Sequence, residues 1–419
     1  MTGWIRQIYR VLGIVAKVIE DRGHAYAVAM NDQVIHSAHV VTGDVIVADG
    51  WVVFNGDTIT ATGVGDDWHT LATGTTRITD AGGSYLTPGF IDIHCHGGNG
   101  AAFDDGADAI RTALSVHRSH GTTRSVISLV SADHESLRQN LTVIAGLSAA
   151  DPLILGSHLE GPFLDAAFKG AHSPSALRNP TPHEITELLD AAAGTLRQIT
   201  LAPELDGAMA AITQLTNASV TVAIGHTSAD YEQTLAAFDT GATLLTHAFN
   251  AMNGIHHREP GPVTAAFGRE SVMLEVINDG VHVHPDVVKM LFASAPGRVA
   301  LVTDAMAATC ASDGHYVIGS LDVTVTDGVA RLSDSGSIAG STLTMDAAVR
   351  RAITEVGVSV PQAVAAATAV PARAIGRSGD LGSLAAGFAA DAVLLDADFR
   401  VQAVWAAGRE LRPLGHPDA

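Results

Sequence analysis

Between Pro88 and Asp304 the chain repeats one pattern eight times: an apolar run of strand length, a polar residue at its end, then a spacer long enough for a helix. The runs are GFIDIHCHG, TTRSVISL, LILGSHLEG, LRQITLAPE, VTVAIGHTS, ATLLTHAFN, VMLEVINDG and VALVTDA. Unbroken apolar runs mark strands buried on both faces, as in a parallel sheet covered by helices. Spacers such as HEITELLDAAAGTL and SADYEQTLAAFDTG carry helical periodicity. Eight such units predict an α/β fold, a (β/α)8 TIM barrel, in which loops after the strand C-termini build the site.

The polar residues at those ends are therefore expected to converge: His94 and His96, Ser128, His158 and Glu160, Glu204, His226, His247, Asn278 and Asp279, and Asp304. Period-two geometry puts the rings of His94 and His96 on one face of the first strand and turns Cys95 away, as a buried thiol. Glu160, His226 and His247 together offer the three-ligand, open set of a catalytic divalent ion such as Zn²⁺ or Fe²⁺. Asp304, aimed at the same mouth, is placed to accept and return a proton.

Outside the barrel the text is β-rich. Residues 31–86 and 381–419 carry short strands and are expected to join as one small β-sandwich domain built from both chain ends. The barrel is assigned to 87–310 and 338–380, with a β-hairpin insertion over 311–337. Residues 1–30 read as an N-terminal extension without a secretory cleavage site, and Met30 stands directly before the first strand pattern. Lys and Arg number 24 against 44 Asp and Glu, a formal charge of −20, which disfavours nucleic acid or an anionic membrane as partner. Two cysteines make no disulfide framework and no run is long enough to span a bilayer, so a cytoplasmic protein is expected.

The runs LTPGFIDIHCHG, TDAM and GSLAAGFAADAVLLD resemble the amidohydrolase superfamily. More narrowly, HLEGPF, KGAH, IGHTSA, THAFNAMNGIHHREPG, INDGVHV and SIAGSTLTM resemble its N-acetylglucosamine-6-phosphate deacetylases, in the same order, over about residues 35–412. The resemblance implies hydrolysis of the acetamide of N-acetylglucosamine 6-phosphate, with a metal on Glu160, His226 and His247 and with Asp304 as general base and acid. Retention of His94 and His96 implies room for a second ion, so one or two per subunit, with Asp304 also able to serve as a ligand. It further implies that His172 touches the acetamide carbonyl and His282 the sugar or its phosphate. Ala171, Asn250, Ala251, Ile338, Ala339 and Gly340 would line the sugar pocket. Arg258 would reach the phosphate across a homodimer interface, with His256, His257 and Lys169 as further positive donors. A ring-opening amidohydrolase acting on a cyclic amide, or on a different N-acyl amino sugar, is the rival. The former often uses a carboxylated lysine, and no strand end here carries one.

Overall fold

The computed structural model describes residues 33–414; the expected extension over 1–30 lies outside them. Eight parallel strands form one sheet in sequence order: Phe90–Asp92, Thr122–Leu129, Ile154–Glu160, Leu196–Leu201, Thr221–Ile224, Leu244–Leu245, Met273–Ile277 and Val299–Val302. They are the eight runs read from the sequence. Nearly every residue in them is buried, as barrel walls lined inside by side chains and outside by helices require.

The first and last strands meet at a seam. There the Asp304 N–H donates to the His94 carbonyl at 2.9 Å, and the Thr303 hydroxyl donates to Asp92 at 2.6 Å. The His96 and Gly97 N–H groups both donate to the Ala305 carbonyl, at 2.8 and 2.9 Å. The segment carrying His94 and His96 is thus tied to the one carrying Asp304 by main-chain bonds.

The helices follow their local signals. Thr181 caps Pro182–Ala192 with Pro at its first position. Asp230 and Gln233 form a reciprocal capping box at the start of Tyr231–Thr240.

Strands from both chain ends join in one eight-stranded sheet. The order runs Arg409–Arg412, Val401–Ala406, Ala392–Leu395, Tyr85–Pro88, Gln33–Thr42, Val45–Asn55, Thr58–Val64, with Arg77–Asp80 also on Gln33–Thr42. Gln33–Thr42 changes partner midway: residues 33–36 pair with 77–80 and residues 39–40 with 85–86. Ser37 between them has φ +54°, and this irregularity lets the sheet turn around Ile35, Phe54, Leu86, Leu394 and Trp405.

Residues 311–337, expected as a hairpin, hold three antiparallel strands: Gly314–Ile318, Leu321–Thr326 and Val329–Leu332. The extra strand follows from Asp327-Gly328, whose two positive φ angles suit a tight hairpin turn. This small sheet packs Ile318 and Val323 against Val130 and Met306 at the barrel mouth.

Candidate active site

Glu160 ends the third strand, and His226 and His247 stand just beyond the fifth and sixth. Glu160 Oε1 lies 3.1 Å from His226 Nε2 and 3.0 Å from His247 Nε2, with the two nitrogens 3.0 Å apart. His94, His96 and Asp304 make a second convergent group. Its Nε2 atoms lie 3.2 Å apart and 3.6 and 3.4 Å from Asp304 Oδ1. Glu160 joins the groups, with Oε1 3.3 Å from His94 Nε2 and Oε2 3.2 Å from His96 Nε2.

Position alone does not make a ligand; the second ring nitrogen decides the tautomer. The Phe168 carbonyl lies 2.8 Å from His226 Nδ1 and can only accept, so Nδ1 carries the proton and Nε2 offers its lone pair. Glu275, fully buried, stands 3.0 Å from His94 Nδ1 and turns His94 Nε2 toward the site in the same way. Burial disfavours charge on His94, but Glu160 and Glu275 outweigh it and raise its pKa well above that of free imidazole. Burial pushes the Glu160 carboxyl up, yet the rings around it, His94 foremost, hold it well below the ordinary range. A crowd of nitrogen lone pairs around carboxylate oxygens asks for positive charge at its centre, and a divalent ion fits that donor set.

The backbone at these positions is strained. His226, His247 and Asp304 have φ of +49°, +22° and +47°. Non-glycine residues in this region cost about 1–3 kcal/mol each and cluster where function demands them. Gly170 answers a different need: with φ +53°, a Cβ there would lie 2.8 Å from His226 Cε1, so the KGAH turn closes over that ring only with glycine.

His172 faces Glu160 Oε2 at 3.2 Å through Nε2, while its Nδ1 accepts from the Ser131 N–H at 3.2 Å. The proton therefore sits on Nε2, pointing into the site. Burial, the largest influence, pushes this ring down to about 4, so it is a neutral donor near pH 7. His282 is oriented by Asp279, whose Oδ2 lies 2.7 Å from Nδ1; burial opposes its charge, but that contact raises its pKa.

His96, Glu160, His172, His226, His247, His282 and Asp304 line one cleft of about 920 Å³ including its open mouth, while His94 is fully buried. Ala171, His172, Asn250, Ala251, His282, Ile338 and Gly340, all expected around a substrate, line it with the ligand side chains. Two do not. Ala339 points into the core beside Ala308 and Val323, because its N–H is held by the Ala330 carbonyl. Arg258 is exposed in a separate depression beside Asn253 and Glu259, with Nη1 2.7 Å from His257 Nε2.

The other strand-end polar residues serve elsewhere. His158 is held between the Ser128 and Thr200 hydroxyls, 2.9 Å each, beneath His94. Glu204 accepts from Thr227 and Ser228 and stabilises the turn after His226. Asn278 donates to the Ala348 carbonyl. Cys95 is buried in the barrel core. Sequence reasoning missed Glu275 and the apolar wall of Val130, Met306 and Ile318. Glu275 is the one acid inside the run VMLEVI, and that is the signal that could have found it.

The model of the amidohydrolase family matches residues 85–411. The chain is 39% identical over 336 residues to N-acetylgalactosamine-6-phosphate deacetylase of Escherichia coli O157:H7, covering 79% of this chain and 89% of that one. It is 36% identical over 330 residues to N-acetylglucosamine-6-phosphate deacetylase of Vibrio furnissii, covering 77% and 82%. Among solved structures, a mutant N-acetyl-D-glucosamine-6-phosphate deacetylase of Mycobacterium smegmatis in complex with N-acetyl-D-glucosamine-6-phosphate matches with a TM-score of 0.86 at 42% identity, over 91% of this chain and all of that one. The fold, the convergent ligand set and these likenesses agree: the chain belongs to the amidohydrolase family, among its N-acetylglucosamine-6-phosphate deacetylases.

Proposed function

We propose that the protein hydrolyses the acetamide of N-acetyl-D-glucosamine 6-phosphate to D-glucosamine 6-phosphate and acetate. The observation that carries this reading is the meeting of Glu160, His226 and His247 at one point of a cleft that also holds Asp304 and His172. Zn²⁺ or Fe²⁺ would be held by those three ligands, with His94, His96 and Asp304 able to hold a second ion. When bound, such an ion polarises the amide carbonyl and lowers the pKa of water toward about 7.

The chain's own residues supply the rest. The Asp304 carboxylate accepts the proton of the attacking water, then donates it to the departing amine nitrogen, so no covalent acyl-enzyme is needed. His172 Nε2–H donates to the carbonyl oxygen as negative charge develops there, from a ring whose tautomer is set by the Ser131 N–H. His282, Asn250 and Ala251 bind the sugar. Arg258, exposed outside the cleft of its own subunit, would meet the phosphate in the partner subunit's site, so we propose a homodimer acting in the cytoplasm.

The E. coli relative's name makes N-acetylgalactosamine 6-phosphate a second reading, differing at one sugar hydroxyl. Acetate release after metal reconstitution, measured side by side with both phosphates and with unphosphorylated N-acetylglucosamine, tests the assignment. Turnover of the galactosamine form alone would transfer the reading to that substrate; no acetate from either phosphate would end it.

A further inference from the structure

Three elements outside the cleft bring a thiol, an imidazole and a carboxylate into line. Cys310 is exposed, six residues after Asp304 in the loop beyond the last barrel strand. Its Sγ lies 3.5 Å from Nε2 of His120, which follows the helix Ala107–Ser119. Nδ1 of the same ring lies 3.2 Å from Oδ1 of Asp346, buried in the first turn of Met345–Arg351. Asp346 can only accept, so it fixes the proton on Nδ1 and leaves Nε2 to take the thiol proton.

From this geometry we infer that Cys310 is a reactive thiol and a site of covalent modification, taking low-molecular-weight disulfides in thiol–disulfide exchange. The Cys310 proton passes to His120 Nε2 and the sulfur pair attacks one sulfur of the disulfide. The new S–S bond forms as the old one breaks, and the departing thiolate takes the proton back from His120 and leaves as a thiol. Cys310 is oxidised to the mixed disulfide and half of the reagent is reduced, so no other oxidant enters.

Burial opposes charge on His120, but the contacts to Asp346 and Cys310 outweigh it and raise the ring to about 10. Of the other titratable groups facing it, His117 on the same helix is pushed down by burial and is neutral near pH 7. Arg412 approaches from the terminal sheet, donating to the Ser119 carbonyl. Cys95, the other cysteine, is buried and serves as the unreactive internal control. The adduct would sit on the segment whose Ala305, Ala307 and Thr309 carbonyls accept from the chain at His96–Gly100.

The test uses the full chain, hydroxyethyl disulfide and intact mass. At pH 6 we expect Cys310 to gain the adduct at least about tenfold faster in the wild type than in His120→Gln, with the rates converging at pH 9.5, where a thiol ionises unaided. Asp346→Asn should fall between them, and Cys310→Ser should take no adduct. Equal rates for wild type and His120→Gln at pH 6 would overturn the inference. Should neither His120→Gln nor Asp346→Asn give a folded melting transition, the wild-type profile decides. An isolated thiol slows about a hundredfold from pH 8 to pH 6, and a wild-type loss of that size overturns the proposal, whereas a loss below about tenfold supports it.

Discussion

Glu275 of the seventh barrel strand holds Nδ1 of His94, two residues beyond the first strand, at 3.0 Å, both side chains fully enclosed. The same carboxylate accepts from Gln198 Nε2 at 2.8 Å and from the His247 N–H at 3.3 Å, so one acid braces both ligand groups. Losing such a contact behind a metal-binding histidine typically costs about 10–100-fold in metal affinity. Glu275→Gln should therefore weaken Zn²⁺ binding by about that factor in a chelator competition, while far-ultraviolet circular dichroism stays native. Unchanged affinity in a folded variant would remove Glu275 from this role.

Asp304→Asn keeps the shape of the side chain and removes its ability to take a proton. Turnover should fall by about 10²–10⁴, the usual share of general acid–base catalysis. Elemental analysis should still find metal on Glu160, His226 and His247. Near-normal turnover in a metal-loaded Asp304→Asn enzyme would assign the proton transfer to another group.

In the proposed reaction His172 serves as a neutral donor. Because burial sets its pKa at about 4, below the free value of 6.5, it is deprotonated at both pH 6 and pH 8. His172→Asn should lower kcat by about 10²–10³, by the same factor at the two pH values. A defect that shrinks markedly at pH 6 would show that the wild-type ring gains a proton there, contrary to its buried environment.

Arg258→Ala should raise KM for the phosphorylated sugar by about tenfold to a hundredfold, the worth of a charged hydrogen bond of roughly 1.5–3 kcal/mol. Hydrolysis of unphosphorylated N-acetylglucosamine should hardly change. Equal losses on both substrates, or a wild-type enzyme that sediments as a monomer while fully active, would dissociate Arg258 from the phosphate.

Chelation should abolish acetate release, and added Zn²⁺ or Fe²⁺ should restore it. Activity that survives exhaustive dialysis against chelator, with no metal detected, would contradict the role of Glu160, His226 and His247.

The sequence by itself determined the barrel, because strands buried on both faces must be continuously apolar, and eight such runs with helical spacers leave few other architectures. It also marked Glu160, His226, His247, His94, His96 and Asp304, since polar residues ending those runs all face the same rim. Tertiary structure alone decided which of the remaining strand-end groups belong to the site. His158 stands two residues before Glu160 on the same strand but is consumed by Ser128 and Thr200, and Glu204 is consumed by Thr227 and Ser228. Glu275 sits mid-strand and matters only because the closed barrel carries it across to His94. Ala339 faces inward although its neighbours face the cleft, and Cys310 meets His120 and Asp346 from positions far apart in the chain. Strand periodicity says which way a side chain points; hydrogen-bond partners across the fold, which no local pattern encodes, say what it is free to do.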